Sequence, residues 1–139
     1  MSHETPTIPG ADAVVAWFGQ WPSFHDAEIV ELHLNRAGHS WVKLHAWLTT
    51  QTGEPGEQKI STDRHAVVTF TLREVADLEL TDFSAQNVIF GLELEHRSEG
   101  HRLILKPCFG LSGFIQARAI EVEVVPSRTD GILSESRNA

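Results

Sequence analysis

The chain has 139 residues, with 11 Lys and Arg against 19 Asp and Glu, a formal net charge of −8 at pH 7. At 41% hydrophobic and 22% charged residues it has the composition of one ordinary folded domain over 1–139, and its acid excess is the wrong sign for direct nucleic-acid binding, where Lys and Arg must neutralise phosphates. The lone Cys108 excludes an internal disulfide framework, no apolar run reaches membrane-spanning length, and the first residues lack the pattern of a secretion signal, so a cytoplasmic protein with no membrane contact is expected.

Residues 1–9 are polar, hold two prolines and read as a loose lead-in. One short helix of about nine residues follows. Val14, Val15, Trp17 and Phe18 lie on one helical face, Asp12 suits the N-terminal dipole, and Gly19 supplies a stop before Pro22. A helix this short must pack its apolar face on something else.

Nearly everything after it alternates with a period of two. The segments are 27–36, 41–50, 66–73, 75–83, 88–96, 101–106 and 114–125. Their inward sets include Val30, Leu32 and Leu34; Val42, Leu44, Ala46 and Leu48; Val68, Phe70 and Leu72; Leu78, Leu80 and Phe83; Val88, Phe90, Leu92 and Leu94; Leu103 and Leu105; and Ile120, Val122 and Val124. No crossover helices separate the segments, so the sheet is expected to be antiparallel. Residues 37–40, 97–100 and 110–113 read as tight connections, 51–65 as one long polar loop, and 126–139 as a polar tail. In the first hairpin the inward residues of both strands carry even numbers, so paired numbers must sum to an even value. A plain two-residue Gly38-His39 turn breaks that parity, and a three-residue loop or a bulge is expected. Sums of 78 or 76 set His33 against His45 or Lys43.

The densest chemistry lies in Trp21-Pro22-Ser23-Phe24-His25-Asp26-Ala27-Glu28, between helix and first strand. His25, Asp26 and Glu28 have the side chains for acid–base work or metal ligation. The structural alternative has Trp21 and Phe24 plug the gap between helix and sheet while Ser23 or Asp26 holds loop amides. Of the eight histidines, His33 and His45 are candidates for a cross-strand pair. No CxxC, helical HxxxH or Gly-x-Ser-x-Gly is present, so no metal, cofactor or catalytic nucleophile is assigned. Cys108, beside Phe109, reads as a small buried hydrophobe, with Lys106 near enough in sequence to favour a thiolate. Trp41 and Trp47 fall on the face opposite the inward residues, which calls for a covering layer, a two-fold mate or a binding partner.

Two stretches carry a resemblance. The segment from Trp21 to Glu28 resembles the opening motif of a group of small bacterial proteins of unassigned role. The run Val67-Val68-Thr69-Phe70-Thr71-Leu72, Val75-Ala76-Asp77-Leu78-Glu79-Leu80, Phe83, Asn87-Val88-Ile89 and Leu92-Glu93-Leu94 resembles the bacterial immunity-protein family numbered fifty, from polymorphic-toxin loci. That resemblance implies an α+β intracellular binder of a toxin, without enzymatic activity and without catalytic residues to transfer.

The expected architecture is therefore α+β: one N-terminal helix on a mostly antiparallel sheet of about seven strands, curved or split into two layers. The expected function is a non-catalytic protein-binding module, an immunity-like inhibitor whose acidic surface steers it to a basic toxin. Trp21, Phe24, His25, Asp26, Glu28, Trp41 and Trp47 are the candidate contact or functional residues. The alternatives are a small metal-dependent or acid–base enzyme using His25, Asp26 and Glu28, and a homodimer through Trp41 and Trp47.

Overall fold

The computed structural model describes residues 5–52 and 59–127. The elements are α1 (Ala11–Phe18), β1 (Glu28–His33), β2 (His39–Thr52), β3 (Lys59–Thr81), β4 (Val88–Arg97), β5 (Gly100–Phe109) and β6 (Ser112–Pro126). All pairings are antiparallel, and the strands close in the order β1-β2-β3-β6-β5-β4 into a barrel. The closing seam is narrow. It consists of Glu28 opposite Val88, with Ile29 N–H donating to Asn87 O (2.8 Å), Ile89 N–H to Ala27 O (3.0 Å) and Asp26 N–H to Ile89 O (2.9 Å).

The alternating apolar residues build one core. Val42, Leu44, Ala66, Val68, Phe70, Leu72, Ile89, Leu103 and Ile115 are fully buried. The helix adds Ala11, Val14 and Phe18 to it and packs on β6 and β3. Its end follows from Gly19, whose φ of 88° is the left-handed conformation that a glycine adopts without a Cβ penalty; its N–H donates to Val15 O at 2.7 Å. The lead-in is tied down from Ile8, which is buried, and Pro9 O accepts from Val122 N–H at 2.9 Å.

Several expectations change. Among the described residues there are six strands, not seven, because 66–73 and most of 75–83 are one continuous strand, β3. The chain turns through Glu74 (φ 56°) and a register shift between Val75 and Asp77 without leaving the β6 ladder. β3 also begins at Lys59, so much of the segment expected as a loop over 51–65 is strand; its centre, 53–58, and residues 128–139 of the expected tail lie outside the described residues.

Parity in the first hairpin is even, but the pairs sum to 74, not to 76 or 78: His33 opposes Trp41 and Glu31 opposes Lys43. The break in alternation comes at Val30, an extra residue between the Ile29↔Leu44 and Glu31↔Lys43 pairs. It stands out at 54% exposure while Ile29 turns inward. Phe90 repeats this between the Ile89↔Pro107 and Gly91↔Lys106 pairs, and is 59% exposed. Ala76 and Cys108 are the extra residues of two more such shifts and are also exposed, so Cys108 is not the buried hydrophobe expected from its place beside Phe109: the bulge turns it outward. Each extra residue shifts the period-two register by one position, which is how a bulge re-aims the residues after it and bends a sheet toward closure.

Candidate functional site

The residues between helix and β1 divide by depth. Trp21 and Phe24 are buried and meet Phe70 edge-on: Trp21–Phe24 at 5.7 Å, Phe24–Phe70 at 5.8 Å and Trp21–Phe70 at 6.3 Å between ring centroids. They fill the barrel, and the loop rests on them. Phe24 (φ 62°) and Asp26 (φ 71°) both take the left-handed conformation, which throws His25 and Asp26 outward. Ser23 Oγ accepts from His25 N–H at 3.2 Å. His25 Nδ1 lies 3.3 Å from Asp26 Oδ2, with the two side chains 51% and 55% exposed, and the imidazole meets the edge of Phe90 at 5.0 Å. Glu28 lies apart from this pair, in register with Val88 on one side and His45 on the other.

The outer surface of β1, β2, β3 and β6 carries the other candidates. Trp41 stacks on His33 with centroids 3.9 Å apart and planes 12° off parallel, and its Nε1–H donates to Glu31 Oε2 at 2.6 Å. Trp47 lies where one residue of β2 faces two of β3, Arg64 and His65, between the Ala46↔Ala66 and Leu48↔Asp63 pairs. It stacks on His65 (5.7 Å, 21°) and touches His45 (5.1 Å). His45 Nε2 and His65 Nδ1 share a hydrogen bond of 2.9 Å. Burial pushes the His45 imidazole below its ordinary value and the neighbouring His65 lowers it further, against an opposing pull from Glu28. The expected His33–His45 pair does not form, because the register sets each against a different partner.

Cross-strand rows run over this face. Glu31, Lys43, Thr69 and Glu123 make one; His33, Trp41, Thr71 and Glu121 make the next. Arg73 holds Glu121 at 3.0 Å and His39 at 2.6 Å. The helix packs on β6 and β3 and sends its buried residues into the core, and Trp17 Nε1–H donates to Arg64 O at 3.0 Å. Both outward indoles are thus held in fixed orientations and half-exposed. Fixed aromatic rings lose little freedom when a partner covers them.

His65 is not among the sequence candidates, because the polar composition of 51–65 reads as a loop. Its odd number, shared with Val67 and Thr69, is the signal that a longer β3 would have made visible. Among the described residues no group of three or more His, Cys, Asp or Glu could hold a metal ion, and no helix is long and apolar enough to cross a membrane.

Comparison with curated proteins gives no match, and comparison with solved structures gives none. A family model described as Immunity protein 50 matches residues 10–127, from the helix through β6. That span takes in the loop, both outward tryptophans and the whole barrel, so the chain belongs to the Immunity protein 50 family, whose description implies the binding of a protein toxin.

Proposed function

We propose that this protein is a non-catalytic inhibitor that masks a basic toxin with the outer face of β1, β2, β3 and β6. Trp41 and Trp47 act as anchors, and Glu28, His25 and Asp26 border the contact along the closing seam. The observation that carries this reading is the pair of stacked, hydrogen-bonded or ring-packed indoles on a face that the helix leaves outward. Trp side chains held in place are the commonest large contributors to protein contacts. Trp21 and Phe24 serve as the buried floor under the His25–Asp26 turn and touch no partner. The acid residues Glu28, Glu31, Glu121 and Glu123 on this face outnumber Lys43 and Arg73, which favours a basic partner.

The test is titration against the protein encoded by the adjacent gene, as the toxin this reading expects. A masking inhibitor abolishes toxicity at a fixed stoichiometric ratio, and Trp41→Ala or Trp47→Ala weakens binding by about 2 kcal/mol or more. Sub-stoichiometric protection, showing turnover, and its loss in His25→Ala would instead establish the enzyme reading built on His25, Asp26 and Glu28.

A further inference from the structure

The β2 ladder on β3 stops at His39↔Arg73, while the β6 ladder on β3 runs on to Thr81↔Ser112. Residues 74–81 therefore keep β6 as ladder partner on one side and have no strand on the other, among the described residues. A strand in this position presents a row of main-chain donors and acceptors to whatever extended chain approaches it. The N–H of Leu78 is held by the carboxylate of its own neighbour Asp77, at 2.9 Å.

The side chains on this edge are of two kinds. Leu78 is 38% exposed and, with Leu34, Val75, Asn35, Arg36 and Ser40, lines a groove of about 270 Å³ beside the strand. Glu74, Asp77, Glu79 and Asp82 are all exposed, and none of the four makes an ion pair among the described residues. The chain from 74 to 96 contains no Lys or Arg at all. Basic groups border the edge at Arg73, in the row just before it, at Arg36, in the groove, and at Arg118, which lines a cleft with Glu74 and Glu99.

We propose that this open edge of β3, residues 74–81, takes up an extended basic segment of the toxin, which adds to the sheet as a further strand and drops an apolar side chain into the groove beside Leu78. The charge pattern selects the occupant. A second copy of this chain would set acids against acids, so the edge resists pairing with itself. A Lys- or Arg-bearing strand meets complementary charge and main-chain groups outside any ladder together, and a basic side chain that draws off the Asp77 carboxylate releases the Leu78 N–H as well. The edge starts where the outer face ends, at the Arg73–His39 row, so one partner can cover both. This inference rests on the toxin-binding reading above and specifies where its basic segment lies.

The experiment measures binding of the full chain to a catalytically inactivated form of the protein encoded by the adjacent gene. The variants are Glu79→Lys, Glu79→Lys/Asp82→Lys and, as a comparison outside the edge, Trp41→Ala. The proposal expects Glu79→Lys to slow association and weaken affinity tenfold or more at low salt, with a larger loss in the double variant. It also expects amide protection of residues 76–82 by hydrogen exchange in the complex of the unaltered chain. Full affinity in both edge variants, with loss confined to Trp41→Ala, or unprotected amides at 76–82, overturns the edge assignment and leaves the toxin-binding reading standing. Failure of the unaltered chain to bind overturns both.

Discussion

Asn87 is buried at 3% exposure in the turn that leads into β4. Its Oδ1 accepts from Ser84 N–H (3.0 Å) and Leu111 N–H (2.9 Å), and its Nδ2–H donates to Ser84 O (2.9 Å). One side chain thus joins the β3–β4 connection to the β5–β6 turn. Gly110 permits this, because at φ 92° its missing Cβ would lie 2.5 Å from Asn87 Oδ1. Removing the amide orphans the buried Leu111 N–H, at about 1–3 kcal/mol, and also unties the Ser84 N–H and carbonyl that fix the turn. Asn87→Ala is therefore expected to lower stability by at least about 2 kcal/mol, read from the midpoint of denaturant unfolding; a loss under half that size would mean that water replaces the amide. His45 makes a second expectation at this scale. Its folded-state pKa is depressed by burial and by His65, so the unfolded state takes up protons first as pH falls below about 6.5. The stability it contributes is complete above that pH and is lost as pH drops through the depressed value. Depression of His101 by burial and by His96 has the same sign. Thermal melts from pH 7.5 to 5 should show falling stability, with a shallower slope in His45→Gln; an unchanged slope would remove His45 as a cause.

At the level of the elements, alternation located nearly every strand but not the bulges. Leu103, Leu105, Val42, Leu44, Val68, Phe70 and Leu72 sit inside as their parity requires. Val30 and Phe90 do not, because an inserted residue has no signature in a period of two until its pairing partner is known. Leu34, Leu78 and Phe83, also expected inward, are exposed: Leu34 and Phe83 lie past the ends of β1 and β3, and Leu78 follows the register shift at Ala76. Likewise the helix was legible from its apolar face and its Gly19 stop, since both are local. The break expected at Glu74 was not real: β6 carries the strand across it, and the partner strand is remote in sequence. The site follows the same division. That Trp41 and Trp47 face outward was readable from parity, whereas the stacking of His65 under Trp47 needed the β2–β3 register. Phe70, at the centre of the Trp21–Phe24 triad, is the expected keystone of the packing. Phe70→Ala should cost about 3–5 kcal/mol; chemical denaturation checks it, and a cost near 1 kcal/mol would show that Trp21 and Phe24 refill the space.

Over the whole molecule, the net charge of −8 acts through its placement. Glu93 and Glu95 are held by Lys106 and Arg97, and Glu121 by Arg73, while the acids of the 74–82 segment are unpaired among the described residues. Unpaired exposed charge steers association over distances that salt screens, so the on-rate for a basic toxin should fall roughly twofold to tenfold between about 20 and about 300 mM NaCl, measured by stopped flow. A salt-independent on-rate would place the contact on uncharged surface instead. The amino-acid order alone carried the helix, the antiparallel alternation, the inward and outward sets of most strands and the acid excess, because each depends on neighbours a few residues apart. Closure into a barrel, the count of six strands, the partners of the histidines and the open edge of β3 arose only in the folded chain. Those features depend on which distant strands meet and in what register, and a bulge of one residue resets that register without altering the local pattern that precedes it.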